Sequence, residues 1–136
     1  GLKPLLKTSA DDEIEPFDVV ILNTLGELGR IYGIAEISFV GGSLVPSGGH
    51  NLLEPAYFGR PVLFGPHTEH FVLMSELLIE AGGGERAKDE EDLFLKMRDL
   101  LADPPRAENM GRRARAFVEM NRGALGRVLD HIHSYL

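Results

Sequence analysis

The chain has no cysteine and no tryptophan among its 136 residues. The first absence excludes disulfides and thiolate metal sites, and it permits a reducing compartment. Positive charge is scarce: 14 Lys and Arg stand against 21 Asp and Glu, for a net charge of −7. That balance argues against a surface that tracks nucleic-acid phosphates, and against an electrostatic membrane anchor. No apolar run approaches the ~20 residues with which a helix crosses a bilayer. Several chemical signatures are missing as well. Neither G-x-x-x-x-G-K-[ST] nor G-x-G-x-x-G occurs, which argues against P-loop and dinucleotide chemistry. Ser43 and Ser47 lie outside any G-x-S-x-G elbow, so a hydrolase nucleophile is not expected. His67-Thr68-Glu69-His70 has the wrong spacing for a zincin, and His131 and His133, two residues apart on a predicted helix, point to different faces. No metal is expected.

Glycine, by contrast, is plentiful. Sixteen glycines in 136 residues exceed the usual share of about 7%, and the excess sits in predicted loops. The densest stretch runs from Phe39 to Ala56 and holds Gly41, Gly42, Ser43, Gly48, Gly49, His50, Asn51 and Glu54. This mixture is poor for a core and good for a ligand. Glycines let the backbone approach another molecule and adopt positive φ. Asn51 opens a predicted helix whose first N–H groups lack internal partners, a setting that attracts anions. Glu54 can accept hydrogen bonds from sugar hydroxyls. The same residues also fit a capping arrangement, in which Asn51 takes an orphan N–H and Glu54 reaches back. The two readings are compatible, and both stand at this point.

The rest of the chain alternates strands and helices. A short strand is expected over residues 3–7 and an acidic loop over 10–16. Residues 18–22 are apolar and β-branched, and read as a buried strand. Thr24 is expected to cap a helix, with Glu27 at its third position and Leu25, Leu28, Ile31 and Tyr32 as its inward stripe. Strands follow at 36–40 and 62–64, separated by a short helix over 52–58. Phe71, Met74, Leu77, Leu78 and Ala81 predict a helix over 70–81, and a short strand is expected at 85–87. Asp89 caps the next helix, with Leu93, Met97, Leu100 and Leu101 inward. Asp103-Pro104-Pro105 restarts the chain into a helix that buries Ala107, Met110, Ala114, Phe117 and Val118. A last stripe comprises Leu125, Val128, Leu129, Ile132 and Leu136. The pattern predicts one α/β domain over residues 1–136, with a mainly parallel sheet flanked by helices.

In such a sheet the loops that leave consecutive strands lie along one edge. Those loops are 24–27, 41–54 and 65–70. They offer two helix starts, free backbone N–H groups and the carboxylates Glu27 and Glu54. A ligand with both a phosphate and hydroxyls fits them, such as a nucleotide or nucleotide-sugar. For Glu27 the capping reading stands beside this one, and for Pro66-His67 a plain turn is favoured.

Five segments carry a resemblance. They are Gly26-Glu27-Leu28 with Tyr32-Gly33-Ile34-Ala35-Glu36, then Phe39-Val40-Gly41-Gly42-Ser43-Leu44-Val45, and then Gly48-Gly49-His50-Asn51 with Leu53-Glu54. Pro61 to Thr68 and Asn121-Arg122-Gly123-Ala124-Leu125 complete the set. Together they resemble the 3-deoxy-D-manno-octulosonic acid (Kdo) transferases of Gram-negative bacteria, over nearly the whole chain. The resemblance implies the Rossmann-like carboxyl-terminal half of a GT-B glycosyltransferase without its first strand-helix-strand unit. It implies transfer of Kdo from CMP-Kdo to a lipid A precursor in lipopolysaccharide synthesis, with no cofactor and no nucleic acid. CMP contacts map onto Leu25, Gly26 and Glu27 and onto Asn51, Leu52, Leu53 and Glu54, within the loop that holds Gly42, Ser43, Gly48, Gly49 and His50. Glu54 would hold ribose hydroxyls.

The family's Pro-Arg contact to CMP and its catalytic Glu have no counterpart here, and Asn51-Leu52 replaces the commoner Asn-Pro pair. The acceptor lipid is then expected to meet an amino-terminal half, at the cytoplasmic face of the inner membrane. This piece alone is expected to be soluble, inactive and homodimeric, or to close its sheet by rearranging its first strand. The chain opens at Gly1 without an initiator Met, so an upstream segment is expected. Alternative readings are another GT-B transferase, a nucleotide-sugar epimerase or a non-catalytic nucleotide-binding module.

Overall fold

The computed structural model describes residues 4–6, 19–21, 28–124 and 126. The elements run β1 (Pro4–Leu6), β2 (Val19–Ile21), α1 (Leu28–Ile34), β3 (Ser38–Val40), α2 (Leu53–Tyr57) and β4 (Val62–Phe64). A single 3-10 turn at Glu69–Phe71 then leads into α3 (Val72–Glu80), β5 (Gly84–Arg86), α4 (Glu90–Ala102) and α5 (Pro104–Met120). Strand and helix thus alternate as the sequence predicts. The expected helix start at Thr24 and the stripe from Leu125 to Leu136 lie outside the described residues.

The main sheet has the order β3-β4-β5 and is parallel throughout, with Ser38 opposite Val62 and Val62 opposite Gly84. Parallel strands need crossover helices on both faces, so the central strand is apolar on both sides. β4 obeys this: Val62, Leu63 and Phe64 are all fully buried. Successive side chains leave a strand on opposite faces, and the core divides accordingly. Val62 and Phe64 join Val40, Leu52, Leu53, Ala56, Leu78, Ala114, Phe117 and Val118 on one side. Leu63 joins Leu100, Ala107 and Met110 on the other. Helix α5 contributes to both sides.

The helix starts follow their local chemistry. Asp89 Oδ1 accepts the Asp92 N–H at 2.8 Å, and Asp92 Oδ2 in turn accepts the Lys88 N–H at 2.8 Å. Asp103 Oδ1 accepts the Arg106 N–H at 3.2 Å, and Pro104 takes the first helical position, where no N–H is needed.

Three expectations are corrected. β2 reads as a buried strand, yet Val19, Val20 and Ile21 are all exposed, Ile21 by 47%. Its hydrogen-bonded neighbour among the described residues is β1 alone, with Pro4 opposite Val19, and it does not join the β3-β4-β5 sheet. An apolar strand is buried only when neighbours cover it. The α1 stripe is inward only in part: Tyr32 is half-buried, but Leu28 and Ile31 are exposed, and the buried residue of that helix is Gly29. Leu77 and Leu101, predicted to face the core, also lie on the outside, because Ser75 and Leu78 define the inner face of α3 and Leu100 that of α4.

Candidate functional site

Two loops at the carboxyl end of the main sheet pack against each other. Residues 41–52 follow β3, and residues 65–68 follow β4. Their backbones are joined directly. His67 N–H donates to the Ser43 carbonyl at 2.9 Å, and His70 N–H donates to the Gly48 carbonyl at 3.2 Å. Within the first loop, Gly49 N–H donates to the Gly42 carbonyl at 2.9 Å. The Ser47 hydroxyl donates to the same carbonyl at 2.7 Å.

Glycine is required where these segments meet. Gly48 has φ +89°, and the ring of His70 occupies the space where a side chain at that position would begin. Gly42 has φ +71°, and a Cβ there would stand 2.6 Å from the His50 ring. Positive φ strains any residue with a Cβ at either place, and such a residue would also have to push an imidazole aside.

The sequence-predicted residues divide into four groups. Gly42, Gly48, Gly49, His50 and Asn51 come together in one loop, as expected. Asn51 Oδ1 accepts the Leu53 N–H at 2.9 Å and so takes one orphan N–H of the helix, but the N-cap position is Leu52, one residue later than expected, and it carries no side-chain cap. Ser43, Leu52 and Leu53 come to the same place, but their side chains are fully buried or nearly so. The Ser43 hydroxyl donates to the Val40 carbonyl at 2.6 Å and accepts the Gly65 N–H at 2.8 Å. It ties the two loops together from beneath. Leu52 and Leu53 belong to the core, so only their peptide groups border the loop. Glu54 is half-buried on the first turn of α2. Leu25, Gly26 and Glu27 lie outside the described residues.

Two groups near the loops carry shifted titrations. The Tyr32 phenol of α1 is raised above its usual value, first by burial and then by the negative charge of Glu54. Its ring stacks on Phe58 with centroids 6.3 Å apart. These facts bring α1 beside α2. Glu69 is held below the usual carboxylate range by its own backbone N–H and by His67, whose Nδ1 lies 3.1 Å from the carboxylate. Among the described residues no group of three or more His, Asp or Glu is arranged to hold a metal ion. Among them no helix is long and apolar enough to cross a membrane.

A cavity of about 470 Å³ lies elsewhere, lined by Glu36, Ile37, Arg60, Pro61, Leu100 and Pro104 among others. Ile37 and Pro61 immediately precede β3 and β4. The cavity therefore sits at the amino end of the strands, and the paired loops form an open surface at the other end. In parallel α/β sheets ligands bind outside the carboxyl ends of the strands, so the loops are the stronger candidate.

Sequence reasoning missed a polar network beside the second loop. Thr68 Oγ1 lies 3.2 Å from Ser75 Oγ, and Arg86 Nη2 donates to the same Ser75 oxygen at 3.1 Å. No motif joins three residues separated by 7 and 11 positions. Only the fold brings them together.

No protein-family profile matches the chain. Curated relatives do. The chain is 39% identical over 123 residues to the 3-deoxy-D-manno-octulosonic acid transferase of Haemophilus influenzae, which covers 90% of this chain and 29% of that protein. It is 36% identical over 137 residues to the transferase of the same name from Bordetella pertussis, covering 100% of this chain and 32% of that protein. The chain thus spans about a third of the length of these relatives. Among solved structures, the C-terminal CMP-Kdo binding domain of WaaA from Acinetobacter baumannii superposes with a TM-score of 0.78. That match has 27% identity and covers 86% of this chain and 61% of that domain.

Proposed function

Since this chain belongs to the Kdo transferase family, as a counterpart of its carboxyl-terminal part, we propose that it binds the donor CMP-Kdo for a glycosyltransferase that passes Kdo to a lipid A precursor. The observation that carries the proposal is the pair of interlocked loops after β3 and β4, built on glycines with positive φ, where a side chain would be strained. Such a surface lets backbone N–H groups come close to a phosphate. Glu54, on the first turn of α2, is the carboxylate assigned to the ribose hydroxyls, and bonds of that kind are charge-assisted. Leu25, Gly26 and Glu27 are assigned to the cytidine side of the same ligand. In this reading Ser43, Leu52 and Leu53 act through the backbone they hold in place.

The resemblance to the family assigns the acceptor and the general base, which must come within hydrogen-bond reach of the acceptor hydroxyl, to a separate amino-terminal half. This chain alone therefore transfers no sugar. The whole enzyme works at the cytoplasmic face of the inner membrane. The exposed strand β2 recruits a second copy of the chain in solution.

Titration of CMP and of UMP into isotopically labelled protein tests the donor assignment. Amide shifts at Gly42, Gly48, Gly49 and Asn51 with CMP, and weaker ones with UMP, are expected. Shifts that avoid these residues at millimolar CMP exclude it.

A further inference from the structure

Arg86 ends β5, with β4 between it and the glycine loop after β3. Its guanidinium lies 5.6 Å from the centroid of the Phe64 ring, and its Nη2 reaches both Glu76, at 2.8 Å, and Ser75. Ser75 is fully buried. A hydroxyl has one proton and two lone pairs. The Ser75 proton goes to the Val72 carbonyl at 2.8 Å. Both lone pairs are then left for donors, and Arg86 and Thr68 supply them. This count settles the direction of the Thr68 bond: Thr68 donates. Thr68, also buried, is the residue between His67 and Glu69 in the loop whose His67 and His70 amides hold the Ser43 and Gly48 carbonyls. The chain of contacts thus runs from Arg86 through Ser75 to Thr68, and from there into the glycine loop.

We propose that Arg86 is a positioning residue: through Ser75 and Thr68 it sets the loop 65–70 and with it the backbone of Gly48 and Gly49 in the donor site. The role in donor binding rests on the nucleotide reading above, but the effect on loop geometry does not. A lysine keeps a charge for Glu76 and a donor for Ser75. A methionine keeps the stem over Phe64 and removes every donor.

The test compares Arg86→Met, Arg86→Lys and Ser75→Ala with the parent chain, by amide hydrogen exchange and by CMP titration. Arg86→Met and Ser75→Ala should each speed exchange at the His67 and His70 amides about fivefold, and weaken CMP binding by a similar factor. The Val62 amide, bonded to the Gly83 carbonyl at 3.1 Å in the sheet, should keep its protection. Arg86→Lys should stay close to the parent. Faster exchange at every amide alike would reduce Arg86 to a contributor to global stability and overturn the proposal. Unchanged exchange at His67 and His70 would also overturn it, as would unchanged CMP affinity in a parent that binds CMP. A parent that ignores CMP fails the nucleotide reading, and the exchange pattern then decides by itself whether Arg86 sets the loop.

Discussion

Val19-Val20-Ile21 and Val62-Leu63-Phe64 are strands of the same length and nearly the same apolar content. Every residue of the first is exposed and every residue of the second is buried. β4 has β3 and β5 on its two sides and core side chains from α2, α3, α4 and α5 near its two faces. β2 has β1 as its hydrogen-bonded partner among the described residues. Apolar composition therefore states a demand for neighbours and does not supply them. The same contrast holds for the helices: α5 turns its stripe inward, while α1 leaves Leu28, Ile31 and Ile34 in solvent.

The largest effect that sharpens this contrast is in β4. Leu63→Ala should cost about 2–5 kcal/mol, because it opens a void in a packed site, whereas Ile21→Thr should cost less than about 1 kcal/mol. Chemical denaturation of both variants measures the difference. Equal costs would show that β2 is covered in solution. A second pair compares glycines. Gly65→Ala forces a methyl against the backbone of Ser43, while Gly41→Ala meets nothing within 4 Å. The first should lose about 1–3 kcal/mol, the scale of local backbone strain, and the second far less.

A third test concerns the start of α4. Asp89→Ala removes the cap of α4 and should cost about 1 kcal/mol, read from thermal unfolding. Its partner Asp92 gives the pH dependence. The Lys88 backbone N–H, and after it the nearby lysine charges, hold the Asp92 carboxyl below its usual value. A depressed pKa stabilises the fold above the unfolded value, and that contribution is lost as pH falls through the folded value. The protection of the Lys88 amide, taken relative to the intrinsic exchange rate at each pH, should therefore fall on acidification below the usual carboxylate range. Asp92→Asn should remove that response. The smallest effect is expected at β2: Ile21→Lys should leave stability within about 0.5 kcal/mol. It should also abolish any concentration dependence in sedimentation. A dimer that persists in Ile21→Lys would move the contact surface elsewhere.

Much of the fold among the described residues was legible because its signals are local. Asp89 and Asp103 name their helix starts, Pro104 fits the first turn, and Val62-Leu63-Phe64 between Pro61 and Gly65 can only be a short buried strand. The glycine loop was legible as a place where backbone is laid bare. What was not legible depends on distant neighbours. The exposure of Ile21 is decided by which strands flank it. Ser43, Leu52 and Leu53 sit in a site-like stretch, yet their side chains turn into the fold because α2 and β4 close over them. Thr68, Ser75 and Arg86 meet only after β4, α3 and β5 have assembled.

Helix α5 lends Ala107 and Met110 to one side of the sheet and Ala114, Phe117 and Val118 to the other. Neither side can open by a local fluctuation while that helix stays docked. The two layers must then come apart in one kinetic step, with the amides of α5 among the last to exchange and the peptide bonds beneath it reached by a protease only through complete unfolding.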